Sequence, residues 1–219
     1  MNGRLMFEKT GRARYISHLD LMRTLRRVFA RAGVALRHTE GFNPHPRMSL
    51  ALPLPVGQES VCELMDFETE DELSYEAIPE LLNPKMPEGI RARMAYAPAR
   101  PASEIKWIEV YFALEYGLDA PANAAAALVD YFSAESIIVP KRTKRGTRDI
   151  DIIPAIASIV FSAPAPDFVA AVAVVSADSP SLNPDMLIAA ISRDAPELAP
   201  DYALIRRAEL FDEKMKVFR

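Results

Sequence analysis

Apolar residues recur at spacings of three and four along one early stretch: Leu21, Met22, Leu25, Val28, Phe29 and Ala32. That is the period of a single helix face. Ser17-His18-Leu19-Asp20 just before it has the form of a capping box. Gly33 suits the residue just past a helix end. The spacing predicts a helix from about His18 to Ala32. Arg23, Arg27 and Arg31 recur every fourth residue on another face of it.

Elsewhere the period shortens to two, the signature of half-buried strands. Arg4–Glu8 would put Leu5 and Phe7 on one face. In Met48–Val56, Met48, Leu50, Leu52, Leu54 and Val56 share a face. Pro53 and Pro55 fall on the other, so this strand should run along an edge. Val34–Thr39, Val61–Phe67 and Ile90–Tyr96 are further strand candidates. Ser74–Leu82 reads as a helix flawed by Pro79. With Val34–Thr39 as a lead-in, the order is β-α-β-β-α-β.

Ala97–Ser103 reads as a linker, after which the order recurs without any repeat in sequence. Trp107–Tyr116, Ile137–Pro140, Ile150–Ile153, Ile156–Phe161, Phe168–Val175 and Tyr202–Phe211 are strand-like. Ala122–Phe132 and Pro184–Ser192 are helical, the second with Asn183 as N-cap and Pro184 at its first position. The fold class expected is α+β, as two tandem ferredoxin-like (βαββαβ) halves, with domains at 1–97 and 104–219.

The 219 residues suffice for one large domain or two small ones, and half of them are hydrophobic, which permits a sizeable core. No apolar run is long enough to cross a bilayer. The start lacks the apolar stretch of a signal peptide. Cys62 has no internal disulfide partner. A cytoplasmic setting is the expectation.

Net charge is −4, but it is unevenly spread. Residues 1–57 hold ten basic and three acidic residues, and 58–98 hold three basic and ten acidic. Basic charge is thus a patch rather than a coat. Arg23, Arg27 and Arg31, with Arg37, His38 and Arg47, could form one basic surface suited to phosphate. Within it, Asn43-Pro44-His45-Pro46-Arg47 is stiff, because each proline biases the residue before it toward extended backbone. A second cluster, Lys141, Arg142, Lys144, Arg145 and Arg148, surrounds Gly146 on an expected hairpin loop. It could track a phosphate backbone. Either patch would serve equally as an ordinary solvated face.

The histidines are His18, His38 and His45. No metal-ligand spacing accompanies them, and no metal site is expected. A helix N-terminus disfavours a charged His18, which could suit a general base, but a plain structural histidine in the first helical turn is the favoured reading. The phosphate-loop, dinucleotide and nucleophile-elbow patterns are all absent. A lone cysteine cannot ligate an iron–sulfur cluster in the usual way. Cys62 reads as a small core residue. Glu63, Asp66 and Glu68 read as an exposed acidic edge.

Two stretches, RYISHLDLMRTLRRVFARAGV and EGFNPHPRMSLALPLPVGQESVCELMDFE, carry a resemblance. They look like the uncharacterised radical SAM-linked family, whose members occur alone or joined to the C-terminus of radical SAM proteins. The likeness covers about Leu5–Glu68, and KRGTRDIDI resembles the family's C-terminal half. It implies a radical SAM protein as partner and carries no reaction with it. The expected paired halves are also similar, in architecture only, to CRISPR repeat-processing endoribonucleases. Those bind RNA with two such halves, and many use a histidine. Their C-terminal glycine-rich loop is missing here, where residues 99–219 hold only Gly117 and Gly146.

The function expected is that of a non-catalytic accessory module. It would bind RNA through these patches, work with a radical SAM protein, and need no cofactor. Two alternatives stand beside it. One is an RNA-cleaving enzyme with His18 or His45 as acid/base. The other is a protein-binding accessory whose acidic 58–98 segment meets a basic partner.

Overall fold

The computed structural model describes residues 1–117, 120–121, 123–143, 146–178 and 180–219, and only the backbone of Arg142 and Thr143. The architecture is α+β. It divides into two units, Met1–Glu104 with Phe218–Arg219, and Ile105–Val217.

The first unit runs β1 (Asn2–Lys9), α1 (His18–Arg31), β2 (Met48–Leu50), β3 (Glu59–Glu68), α2 (Ala77–Leu82) and β4 (Ile90–Tyr96). β1 is central, antiparallel to both β3 and β4, and β2 adds to the other edge of β3. The period-two pattern explains the packing. Leu5 and Phe7 are fully buried and meet Leu25, Phe29, Met65, Ile78 and Leu82 in one cluster. Each such side chain contributes about 2 kcal/mol on leaving water. Gly3 lies opposite Phe67 in the β1–β3 register. A Cβ at Gly3 would sit 2.5 Å from the Phe67 ring, so the glycine makes room for the aromatic.

Both ends of α1 follow the sequence. Ser17 Oγ accepts from the Asp20 amide at 3.2 Å and donates to its carboxylate at 2.8 Å. At the other end Gly33 takes φ +73. The Gly33 amide donates to Ala30 at 3.2 Å and the Val34 amide to Phe29 at 3.0 Å. These are the two bonds of a Schellman stop, sealed by buried Val34 and Phe29.

The second unit runs β5 (Trp107–Glu115), α3 (Ala124–Phe132), β6 (Ile138–Thr143), β7 (Gly146–Asp151), β8 (Ile156–Ala165), β9 (Phe168–Ser176), α4 (Asp185–Asp194) and β10 (Tyr202–Phe211). Its sheet order is β10-β5-β9-β8, antiparallel throughout. Phe132 of α3 stacks on Phe161 of β8 at 5.7 Å. Leu187 and Ile191 of α4 close the same apolar seam with Phe112 and Leu114 of β5. β6 and β7 form a separate two-stranded ribbon.

Several expectations need correction. Met48–Val56 is strand only to Leu50. After the Ala51 amide bonds Leu64, Pro53 and Pro55 offer no donor to continue the ladder. Leu54 is still buried, so the alternation reported burial rather than pairing. Val34–Thr39 makes only isolated bridges, through Leu36 and His38. Pro79 is no flaw, because α2 begins at Ala77 and its first turn needs no internal amide donor. The stretch expected as a basic turn, 141–148, is built largely into β6 and β7. Ala122, the expected start of the third helix, lies outside the described residues.

Candidate functional site

The polar face of α1 is where the basic residues converge. Arg23, Arg27 and Arg31 are all exposed. Arg23 is held by Asp20 at 3.0 Å, one turn back. The Ser17 hydroxyl and then Arg23 hold the Asp20 carboxyl below its ordinary value. Arg27 and Arg31 make no ion pair among the described residues. Like charges four apart on a helix repel by a few tenths of a kcal/mol. Arg31 is partly repaid by the negative end of the helix dipole. Arg27 has no such structural reason among the described contacts.

A second element completes this surface. A groove of about 300 Å³ opens between α1 and the turn after α2. The helix supplies Arg27, Val28 and Arg31, and the turn supplies Lys85, Met86 and Pro87. Lys85 also makes no ion pair among the described residues. Three cations from two elements therefore border one open groove. Two apolar side chains and a proline line it with them. Sequence reading missed Lys85, because a lone lysine in a proline-flanked turn has no periodic link to α1.

The stiff stretch forms a second group. The Arg37 amide donates to Glu68 at 2.9 Å, and the Arg47 amide to Arg37 at 2.7 Å. The Thr39 amide reaches His45 at 2.8 Å, and the His45 amide returns to Thr39 Oγ1 at 3.0 Å. Arg37, His38, Asn43 and His45 are exposed on this closed loop. Arg47 is tied to Glu68 by two bonds of 3.1 and 3.2 Å. It borders a cavity of about 400 Å³ with Thr39, Ser49 and Asp66. Arg47 thus borders one described cavity, and Arg27 and Arg31 border another.

The acidic edge is also more engaged than expected. Glu63 is buried. Asp66 receives a bidentate grip from Arg4, its register partner, at 2.6 and 2.9 Å. The Arg4 side chain is wholly buried and lies under the Phe218 ring. Burial works against its charge, but the hydrogen bonds and charge of Asp66 outweigh this and hold the guanidinium above its ordinary value. Burial likewise pushes the neighbouring Tyr96 phenol up.

In the second unit, Lys141 and Arg148 face each other across the β6–β7 ribbon. Like charges directly opposite destabilise a strand pair. Lys141 relieves part of this by donating to Ser181 at 2.7 Å, while Arg148 is exposed. Arg142 pairs through its backbone with Thr147. Lys144 and Arg145 lie outside the described residues. His38 and His45 share the closed loop, His18 is exposed in the first turn of α1, and none of the three lines a described cavity. Among the described residues no acidic, cysteine and histidine group could hold a metal ion. No described helix is long and apolar enough to cross a membrane.

No curated protein matches the chain. Two solved structures align over most of it. One is an unknown protein from Galdieria sulphuraria, 11% identical, covering 94% of this chain and 97% of its own, at a TM-score of 0.27. The other is the CRISPR endoribonuclease Cse3 bound to a 19-nucleotide RNA, 12% identical, covering 93% and 98%, at a TM-score of 0.20. Likenesses at these TM-scores carry no weight for fold or function. The family model of DUF2344, described as an uncharacterized protein conserved in bacteria, matches residues 3–184. That span is most of the chain, and the protein belongs to this family.

Proposed function

We propose that this protein is a non-catalytic RNA-binding module, with the α1 groove as its main phosphate site. The observation that carries the reading is the set of three cations, Arg27, Arg31 and Lys85, brought from two elements to one open groove without ion pairs among the described residues. A solvated face would be expected to intersperse acidic partners, as Arg23 has in Asp20. The opposed Lys141 and Arg148 on the ribbon support a second contact. Their mutual repulsion falls when an anionic backbone lies between them.

Three finer features belong to the same proposal. Each unit is read as ferredoxin-like, supported by the order β4-β1-β3-β2 in the first and β10-β5-β9-β8 in the second, with β6–β7 inserted. A radical SAM protein is the proposed partner, supported by the resemblance over Leu5–Glu68. A cytoplasmic setting completes it.

The test is RNA binding measured across a range of salt. Wild-type affinity should fall steeply with salt. The triple variant Arg27→Ala, Arg31→Ala, Lys85→Ala should lower the logarithmic slope by about 2, at roughly 0.7 per phosphate contact on single strands. An unchanged slope removes the groove as the site, and salt-independent or absent binding removes the function. Co-purification with a radical SAM protein checks the partner, and its failure removes that part alone.

A further inference from the structure

Phe42 has no structural role among the described residues. It is fully exposed, while the next most exposed large apolar side chain among the described residues, Val160, is 66% exposed. A phenylalanine left in water forgoes stabilisation that most sites would give it. Its loop, however, is well held. The reciprocal Thr39–His45 bonds close the loop beneath it, and the Arg37–Arg47 and Arg37–Glu68 bonds fix that base to the end of β3. Pro44 and Pro46 stiffen the returning arm. The ring is thus presented at the tip of a braced loop instead of being tucked into a core.

Its neighbours in the loop give the chemistry. Arg37, His38, His45 and Arg47 lie on either side of Phe42 in sequence, with Glu40 between them and Glu68 tied to Arg47. An exposed aromatic ring on a loop that also carries the exposed Arg37 matches single-stranded nucleic-acid recognition, in which bases stack on the ring and cations follow the backbone. Bases within a duplex already stack on one another and offer no free face to such a ring.

We infer that Phe42 is a stacking platform for an unpaired base, so that the RNA bound by this protein is single-stranded where it crosses the Thr39–His45 loop. This rests on the RNA-binding reading above and names its substrate class.

The experiment compares wild type, Phe42→Ala and Phe42→Trp on a single-stranded oligonucleotide and on a duplex of the same length. Phe42→Ala should lose about fivefold to about a hundredfold in affinity for the single strand, the span of one base–aromatic stack. The salt slope should not move, because no charge is removed. Phe42→Trp should keep the affinity, and single-stranded RNA should quench its emission beyond the change at Trp107, the one native tryptophan. Wild-type affinity in Phe42→Ala, or an equal loss on the duplex, overturns the inference while leaving salt-dependent binding intact. Absence of salt-dependent binding in the wild type removes both this and the function it rests on.

Discussion

The two units differ in element order, the second having β6 and β7 in addition, and each ties one carboxylate with an arginine in a different setting. In the first, a charged pair goes inside: Arg4 is buried, gripped by Asp66 and covered by Phe218. In the second, a comparable tie stays at the surface. There Tyr131 of α3 donates to Asp194 of α4 at 2.8 Å, and Arg193 grips the same carboxylate at 2.6 and 2.7 Å. The helices differ in parallel. α1 is 14 residues long and turns a basic face outward, whereas α3 and α4 have 9 and 10 residues. The first unit carries basic residues on its long helix α1. The second carries them on the β6–β7 ribbon. Basic residues thus lie on different kinds of element in the two units.

The contrast can be broken first at the buried pair. Arg4→Met removes the buried cation and leaves Asp66 without its partner. Loss of one member of such a pair costs about 3 kcal/mol, reduced to the extent that water reaches the 38% exposed Asp66 side chain. Urea unfolding should show this loss, and a stability equal to wild type would mean that burial of this charge does not matter. Next is the glycine beneath Phe67. Gly3→Ala places a methyl 2.5 Å from that ring, and overpacking of this kind costs about 1–3 kcal/mol. Thermal unfolding checks it, and an unchanged midpoint would mean that the ring shifts freely.

The smallest effect belongs to the surface tie and is set by pH. Arg193, and then the Tyr131 hydroxyl, hold the Asp194 carboxyl down to about 2. Burial, with the bond to Asp194, pushes the Tyr131 phenol up. A carboxyl depressed on folding adds stability that is complete above its unfolded value near 4 and is lost as pH falls toward 2. Asp194→Asn should therefore flatten the stability curve between pH about 4 and about 2 and leave its shape near neutrality unchanged. Acid titration followed by circular dichroism tests this, and identical acid limbs would sink it.

Much of the fold was legible because local rules agreed with tertiary packing. The bounds expected for Ile90–Tyr96 and Tyr202–Phe211 are those observed. The helix from His18 carried its cap, face and stop in plain sequence. What misled was pattern without pairing. Leu52 and Leu54 alternate like a strand, but Pro53 and Pro55 remove the donors a ladder needs. The candidate site was half legible. Arg27 and Arg31 announced themselves by spacing, but Lys85 joins them only through the packing of a turn. Arg4 read as one more residue of a basic segment. Only the register that sets it opposite Asp66, and the arrival of Phe218, turned it into a buried pair.

That arrival bears on the cost of folding. Phe218 covers Arg4, yet nearly the whole chain separates them, and all of 105–217 forms a unit of its own. Closing a flexible loop of some two hundred residues costs about 2–3 kcal/mol more than closing one of ten, at about 0.6 kcal/mol per doubling. Seating Phe218 over Arg4 closes nearly the whole chain into one loop, so this short contact carries a larger loop-closure cost than the local pairings of β1 with β3 and β4.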